Sequence, residues 1–587
     1  MTGQARFGPL LTESGGATFR LWAPAAANVD LVAGERLAMK RDGAGWFSAT
    51  LPRAGAGTSY KFRIDGELEI PDPASRFQPD DVQGPSEVVD HRYNWKTTNW
   101  KGRPWEETSF LEVHVGTFTP DGTFLAAIDK LDHVAATGIS AIELMPLSDF
   151  PGRWNWGYDG VLPFAPDSSY GRPEDLKALI DAAHDRGLMM FLDVVYNHFG
   201  PEGNYLGRIA PQFFSQTQTP WGNAIDYTVP EVRAFTIENA VAWLRDYRFD
   251  GLRLDAVHAI VCPGTPHILT ELSTAVGSFA RENGRHIHLV LENDDNRASL
   301  LAPQEEPPQG HYRAQWNDDY HHAWHVALTG EKRGYYEDYA ESELHVARAL
   351  AEGFSYQGQP SAHGNGAPRG EPSRRLSPLA FVNFLQNHDQ IGNRALGDRL
   401  TSLVSPAALE ATTTVLLLSP SPPLLFMGEE WGSTRPFPFF CDFKGELANA
   451  VRKGRKAEFA DAYADPGLDV PDPLAEKTML SAKLDWDATR TGAGAERLAL
   501  ITRLLHARKR HIVPLLPMIL PGQSQATFTD GILTAQWQTS TQALRLTANF
   551  TDQVVRRPDW HIERTIWDDP CAAELPPWSV AVGLGAR

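Results

Sequence analysis

Strand-sized apolar segments recur at intervals through the middle of this chain, and helical patterns lie between most of them. The segments span 111–117, 141–145, 188–195, 249–257, 286–291, 379–385 and 423–427, and an eighth falls near 312–316. The helical patterns include 124–137, 173–186, 230–247 and 267–282. Pro173 followed by Glu174 and Asp175 reads as a helix start, because acids in the first turn complement the helix dipole. Repeated strand–helix units build a parallel sheet. Eight strands predict closure into a (β/α)₈ barrel. An open doubly wound sheet is the alternative, but no G-x-G-x-x-G follows any of the segments.

The flanks read differently. Residues 1–91 alternate apolar with polar positions, as in Thr18-Phe-Arg-Leu-Trp22 and Ser59-Tyr-Lys-Phe-Arg-Ile-Asp65, with Gly- and Pro-rich turns between. That pattern predicts a β-sandwich. Residues 92–105 form a connector. The barrel is expected over 106–510, with a loop subdomain at 198–228 that is long for a strand-to-helix connection. A helix near 495–510 then gives way to a small β-domain at 511–587. The fold class is therefore α/β, a TIM barrel between an N-terminal β-sandwich and a C-terminal β-domain. Two further segments read as plain surface: the Gly/Pro/Arg stretch 363–375 as a flexible loop, and the basic run 452–456 as a solvated helix face.

Charged residues gather where the apolar segments end. The third runs into Asp193-Val-Val-Tyr-Asn197-His198 and the fourth into Arg253-Leu-Asp255-Ala-Val-His258. The fifth ends in Glu292-Asn-Asp294-Asp295 and the seventh in Gln386-Asn-His388-Asp389. A charge inside an apolar strand costs several kcal/mol unless it is partnered. Each group alone has a structural explanation, as a cap, an ion-pair partner or a hydrogen-bonded histidine. Four strands doing this at one end do not, and in barrels that end is the catalytic face. Arg253 and Asp255 are two apart on a strand and share a side.

Several carboxylates, one arginine and several histidines without a metal motif suit cleavage of a glycosidic bond. Its oxocarbenium-like transition state needs an ionised carboxylate and a protonated one beside it. Arg253 is expected to lower the pKa of Asp255, and Glu292, at the end of an apolar strand, to keep its proton. Composition agrees. With 54 Lys and Arg against 73 Asp and Glu, the net charge is 54 − 73 = −19, which disfavours nucleic acid and anionic membrane as partners. The 17 Trp and 15 Tyr suit a sugar, whose faces stack on aromatic rings. Cys262, Cys441 and Cys571 are scattered and odd in number, which argues against a disulfide framework or a zinc site. The first residues carry no apolar signal core, and no apolar run reaches membrane-spanning length. A cytoplasmic location is expected.

These four strand-end motifs, in this order and spacing, resemble the α-amylase superfamily, glycoside hydrolase family thirteen. The resemblance covers nearly the whole chain. It implies that Asp255 is the nucleophile, Glu292 the general acid and then base, and Asp389 the group that holds the sugar's 2- and 3-hydroxyls. It implies that Arg253 orients Asp255, that His198 and His388 bond sugar at subsite −1, and that Tyr158 stacks beneath it. Asp193 and His258 join the substrate-binding candidates. The implied outcome is retention of configuration, with the Asp255 and Glu292 carboxyls about 5–5.5 Å apart.

Within the superfamily, Leu111-Glu-Val-His-Val-Gly-Thr-Phe118, Thr219-Pro-Trp-Gly-Asn-Ala-Ile-Asp226, Leu254-Asp-Ala-Val-His258, Gln315-Trp-Asn-Asp-Asp-Tyr-His-His322 and Phe426-Met-Gly-Glu-Glu-Trp431 are similar to the maltooligosyltrehalose trehalohydrolases. That likeness implies hydrolysis of the α-1,4 bond beside a terminal trehalosyl unit, a synthase partner that supplies the maltooligosyltrehalose, and a starch-binding-type module at the N-terminus. It places Asp318 and Asp319 in the acceptor subsites. The alternatives are a 1,4-α-glucan branching enzyme or another α-1,4/α-1,6-glucan-active amylase. No cofactor is expected. Asn197 matches a position that binds calcium in many amylases, but the rest of that site is not evident, so no metal is assigned.

Overall fold

The computed structural model describes residues 6–13, 15–302, 307–464, 467–557, 560–568 and 573–587. Eight parallel strands close into a barrel: β1 (Phe110–Val113), β2 (Ala141–Leu144), β3 (Met189–Val195), β4 (Gly251–Asp255), β5 (His288–Leu291), β6 (Ala314–Trp316), β7 (Phe381–Phe384) and β8 (Pro423–Phe426). Nearly every residue of these strands is buried, because the helices outside and the side chains inside cover both faces. That is why the strands read as continuous apolar runs and not as alternating ones.

Between the strands lie the expected helices, Pro173–Asp185, Pro230–Asp246 and Ile268–Asn283. The predicted helix at 124–137 is instead two pieces, Phe124–Ile128 and Leu131–Thr137. The first piece closes tightly, with the Asp129 N–H turned back onto the Ala126 and Ala127 carbonyls. Gly251 opens β4 because no side chain fits there: a Cβ would come within 2.1 Å of the Phe191 ring and 2.5 Å of the His288 carbonyl oxygen. Arg253 and Asp255 follow it on the same face of the strand.

Two antiparallel sheets precede the barrel, one around Ala17–Trp22 and Trp46–Leu51, the other around Val29–Ala33 and Ser59–Ile64. Phe19 from one and Tyr60 from the other meet at 4.7 Å between ring centroids, so the sheets share one core. This module sits on the barrel through Phe7 against Phe235 and Trp22 against Phe213. The segment 198–228 holds a short helix, Leu206–Ile209, and a hairpin, Phe214–Thr219 with Gly222–Ile225. At the other end, the helix Gly492–Ala507 leads to a five-stranded antiparallel sheet that begins at Ile519. It packs on the helices after β6, where Trp324 meets Phe528 and Phe550.

The stretch read as a flexible loop has structure. Gln359–Pro360 pairs with Pro368–Arg369, and Arg369 is anchored to the barrel. Cys571 lies outside the described residues; Cys262 and Cys441 are free thiols. Among the described residues, no helix is long and apolar enough to cross a membrane.

Candidate active site

The barrel's parallel register brings the charged strand ends together. Asp193 on β3 lies opposite Arg253 on β4, and Val195 opposite Asp255. Arg253 is wholly buried and lies 4.1 Å from the centre of the Trp316 ring. A buried guanidinium is tolerable only with partners, and it has three. Nη1 meets Asp193 at 2.7 Å and Asp255 at 2.9 Å, and Nη2 meets Glu292 at 2.8 Å. Immediately after Asp255, Ala256 takes a left-handed conformation (φ 39°, ψ 49°) that a residue with a Cβ rarely adopts. That turn aims its N–H at Glu292 Oε2, 2.8 Å away.

Asp255 and Glu292 are held side by side on the two ends of one guanidinium. The directions of their pKa shifts run against the sequence expectation. Burial, then the Glu292 charge, pushes Asp255 well above the ordinary carboxylate range despite Arg253. Burial also pushes Glu292 up, but Arg253 and the Ala256 N–H outweigh it and leave the group below its usual value. Arg253 favours ionisation of both carboxyls, but only Glu292 also receives a backbone N–H.

Around this pair, Tyr158 donates its hydroxyl to Asp193 at 2.6 Å and stacks its ring against His388 at 5.0 Å. Asp193 is thereby enclosed behind the site. His198 has both ring nitrogens engaged, by the Asn197 side chain at 2.8 Å and the Tyr158 carbonyl at 3.0 Å. Its ring face is covered by Trp221 at 5.1 Å, with the planes 9° apart. Burial takes its pKa down to about 4, so the ring is neutral. Asn197 is thus committed to His198, and among the described residues no three His, Cys, Asp or Glu side chains converge on a metal position. The residues present do not fit a calcium site at Asn197. His258 accepts the Asp294 N–H at 3.2 Å. Asp389 is 40% exposed and faces the cleft, 3.6 Å from His388 Nε2.

Two cavities meet at this point, and His258, Glu292, Asp389 and Asn393 line both. One, of about 420 Å³, is walled by Trp156, Tyr158, Trp221 and Phe439, with Asp255 at its end. The other, of about 680 Å³, is walled by polar groups that include Asp294, Asp318, His322, Arg369 and Gln390. Asp318 faces this second cavity, where burial and then the Glu292 charge push its pKa well up. Asp319 does not face it. Its carboxylate is fully buried and accepts the N–H groups of Ser355 and Tyr356 at 2.7 and 2.8 Å and pairs with Arg369 at 3.2 Å. Adjacent helix residues point about 100° apart, which sends one carboxylate to the cleft and the other to the core.

Several cleft residues lay outside the sequence expectations. Trp156 is locked by stacking on Phe437 at 5.3 Å, and Gly392 makes room for it, since a Cβ there would fall 1.8 Å from the indole. Arg369 belongs to the loop read as featureless. Arg455, in the basic run read as solvated, lines the aromatic cavity and donates to the Gly392 carbonyl at 2.8 Å. The other unforeseen group is Glu112 on β1, bonded to His388.

The comparisons agree with this geometry. Residues 97–218 match the family model for the alpha amylase catalytic domain, and residues 6–76 match carbohydrate-binding module 48, the isoamylase N-terminal domain. A malto-oligosyltrehalose trehalohydrolase of Deinococcus radiodurans is 44% identical over 84% of this chain and 81% of its own. Another, from Rhizobium sp. strain M-11, is 39% identical over 97% of this chain and 98% of its own. A crystal structure of a Salmonella typhimurium protein, provisionally assigned as an alpha amylase, superposes with a TM-score of 0.95 at 44% identity over the whole of both chains. On barrel, module and sequence together, the chain belongs to the malto-oligosyltrehalose trehalohydrolase family of α-amylase-type glycoside hydrolases.

Proposed function

We propose that this enzyme hydrolyses the α-1,4-glucosidic bond beside the terminal trehalosyl unit of a maltooligosyltrehalose, releasing trehalose, with retention of configuration. The observation that carries the reading is the cleft itself: two unlike cavities meet at the Asp255–Glu292 pair. The aromatic cavity suits a maltosyl chain, whose glucose faces stack on rings. The polar cavity suits a compact disaccharide held through its hydroxyls.

In this mechanism the substrate enters with its glycosidic oxygen beside Glu292. The reactive form has Glu292 protonated and Asp255 ionised against Arg253. Asp255 attacks the anomeric carbon while Glu292 protonates the departing trehalose oxygen. Glu292, now a carboxylate, takes a proton from a water that attacks the glucosyl–Asp255 ester, and the bond to Asp255 breaks. Asp389 and His388 grip the sugar at subsite −1 and favour its distortion. Tyr158 and Arg253 hold the nucleophile's surroundings, His258 and Asp318 flank the acceptor side, and Asp193, His198 and Asp319 support from behind.

A synthase that builds the trehalosyl terminus would supply the substrate, and the scattered free thiols fit a cytoplasmic setting for the pair. The barrel is taken as 106–510, with the flanking β-domains at 1–91 and 511–587. The test is product analysis with maltotriosyltrehalose and maltopentaose in parallel. Fast trehalose release with slow cleavage of maltopentaose supports the proposal. Equal cleavage of both, or branched glucan products, rejects it in favour of a general amylase or a branching enzyme.

A further inference from the structure

We propose that Glu112 is a positioning residue for the glycosidic reaction: from the first barrel strand it fixes the ring of His388 and holds it as a cation, so that the floor beside Asp389 presents a charged donor. The proposal rests on the reading above, since the donor acts on a sugar only if one sits over Asp389.

Glu112 points into the barrel from β1, and it and His388 are each about 1% exposed. One carboxylate grips the histidine twice. Oε1 lies 2.5 Å from Nδ1, and Oε2 accepts the His388 backbone N–H at 3.1 Å. The second contact pins the backbone from which the ring hangs, so the ring has one orientation. Tyr158 stacked on one side at 5.0 Å and the edge of Trp156 at 5.5 Å reinforce it. In that orientation Nε2 faces Asp389 Oδ1 at 3.6 Å. A neutral ring that donates Nδ1–H to Glu112 would turn a bare lone pair on Nε2 toward a carboxylate, two acceptors face to face. Protonation of Nε2 removes that conflict.

Of the other groups around the ring, Asp193 on β3 and Asp389 are acids that favour its charge, Arg253 on β4 opposes it, and Glu143 on β2 and the His114 ring lie nearby. Glu143 offers no substitute for Glu112. Burial pushes its pKa well up, and its two oxygens have no hydrogen-bond partner, both of which disfavour its charged form. Burial opposes charge on His388, but Glu112 and Asp389 outweigh it and take the pKa up to about 9. The folded value lies above the ordinary histidine value of about 6.5. The charge therefore stabilises the fold fully below pH about 6.5, and that contribution is lost as pH rises toward 9.

The experiment has two arms. In the first, ¹⁵N-histidine-labelled enzyme without substrate is titrated, with the His388 signal assigned by its loss in His388→Gln. An imidazolium that persists to about pH 9 is expected. Titration at or below the ordinary histidine value overturns the proposal, whatever the enzyme's substrate proves to be. In the second, Glu112→Gln keeps an acceptor oxygen and removes the charge. The alkaline limb of kcat/KM should move down by at least about one pH unit, with a roughly tenfold loss at pH 8 that largely recovers near pH 5.5. A loss equal at every pH, in a folded protein, would make Glu112 a packing residue and overturn the proposal. Should Glu112→Gln fail to fold, the first arm decides alone.

Discussion

On one side of Glu292 the walls are rings held by rings; on the other they are polar groups held by ions. Trp156 rests on Phe437, and Trp221 rests on His198 at the tip of a hairpin, 47% exposed. Stacking has a preferred distance and little preference for rotation or sliding, so such walls do not fix a sugar ring in one orientation. In the opposite cavity Arg369 donates to Tyr339 Oη at 2.7 Å and pairs with Asp294 at 2.8 Å and buried Asp319 at 3.2 Å. Hydrogen bonds fall off steeply with angle, so walls built this way accept one shape. The difference teaches how a single cleft can be permissive toward the chain and strict toward its end.

The catalytic pair belongs to both arms, so its loss should erase the contrast altogether. Glu292→Gln should lower kcat by roughly 10⁴-fold or more on maltotriosyltrehalose and maltopentaose alike, read from reducing-sugar and trehalose release. A variant that lost only one substrate would break the idea of a shared centre. Next in size, Arg369→Ala should unfasten the polar wall. The preference for maltotriosyltrehalose over maltopentaose should fall by roughly 30-fold, about 2 kcal/mol, with maltopentaose cleavage little changed. An unaltered ratio would remove the polar cavity from specificity. Smallest, Trp221→Ala should raise KM by about fivefold for long maltooligosyltrehaloses and leave the shortest nearly untouched, since one stacked ring contributes roughly 1 kcal/mol. Equal effects at all lengths would argue against a chain-holding arm.

The barrel was legible because its strands are buried on both faces and therefore apolar without interruption. The candidate catalytic groups were legible because a charge ending such a run stands out. Of the walls, Tyr158, His258 and Asp318 were named from the sequence and others were not, for local reasons. Glu112 lies inside its strand and meets a residue 276 positions away. Arg369 sits in a Gly- and Pro-rich stretch, where composition says turn and says nothing of the ion pair with Asp294, 75 positions off. Arg455 shares a short run with three other cations, and helical rotation turns it toward the cleft, a phase that composition does not carry. The pKa shifts of Asp255 and Glu292 depend on burial, on Arg253 and on the Ala256 N–H, surroundings that exist only once the strands are closed.

Ala256 has one further consequence. A residue with a side chain is kept there in a conformation that glycine would adopt freely. Glycine would ease that residue, but it would also let the peptide that steadies Glu292 swing away. Robustness and turnover are therefore set against each other at a single methyl group, and an engineer who relieves the tension for the sake of heat tolerance should expect a slower enzyme.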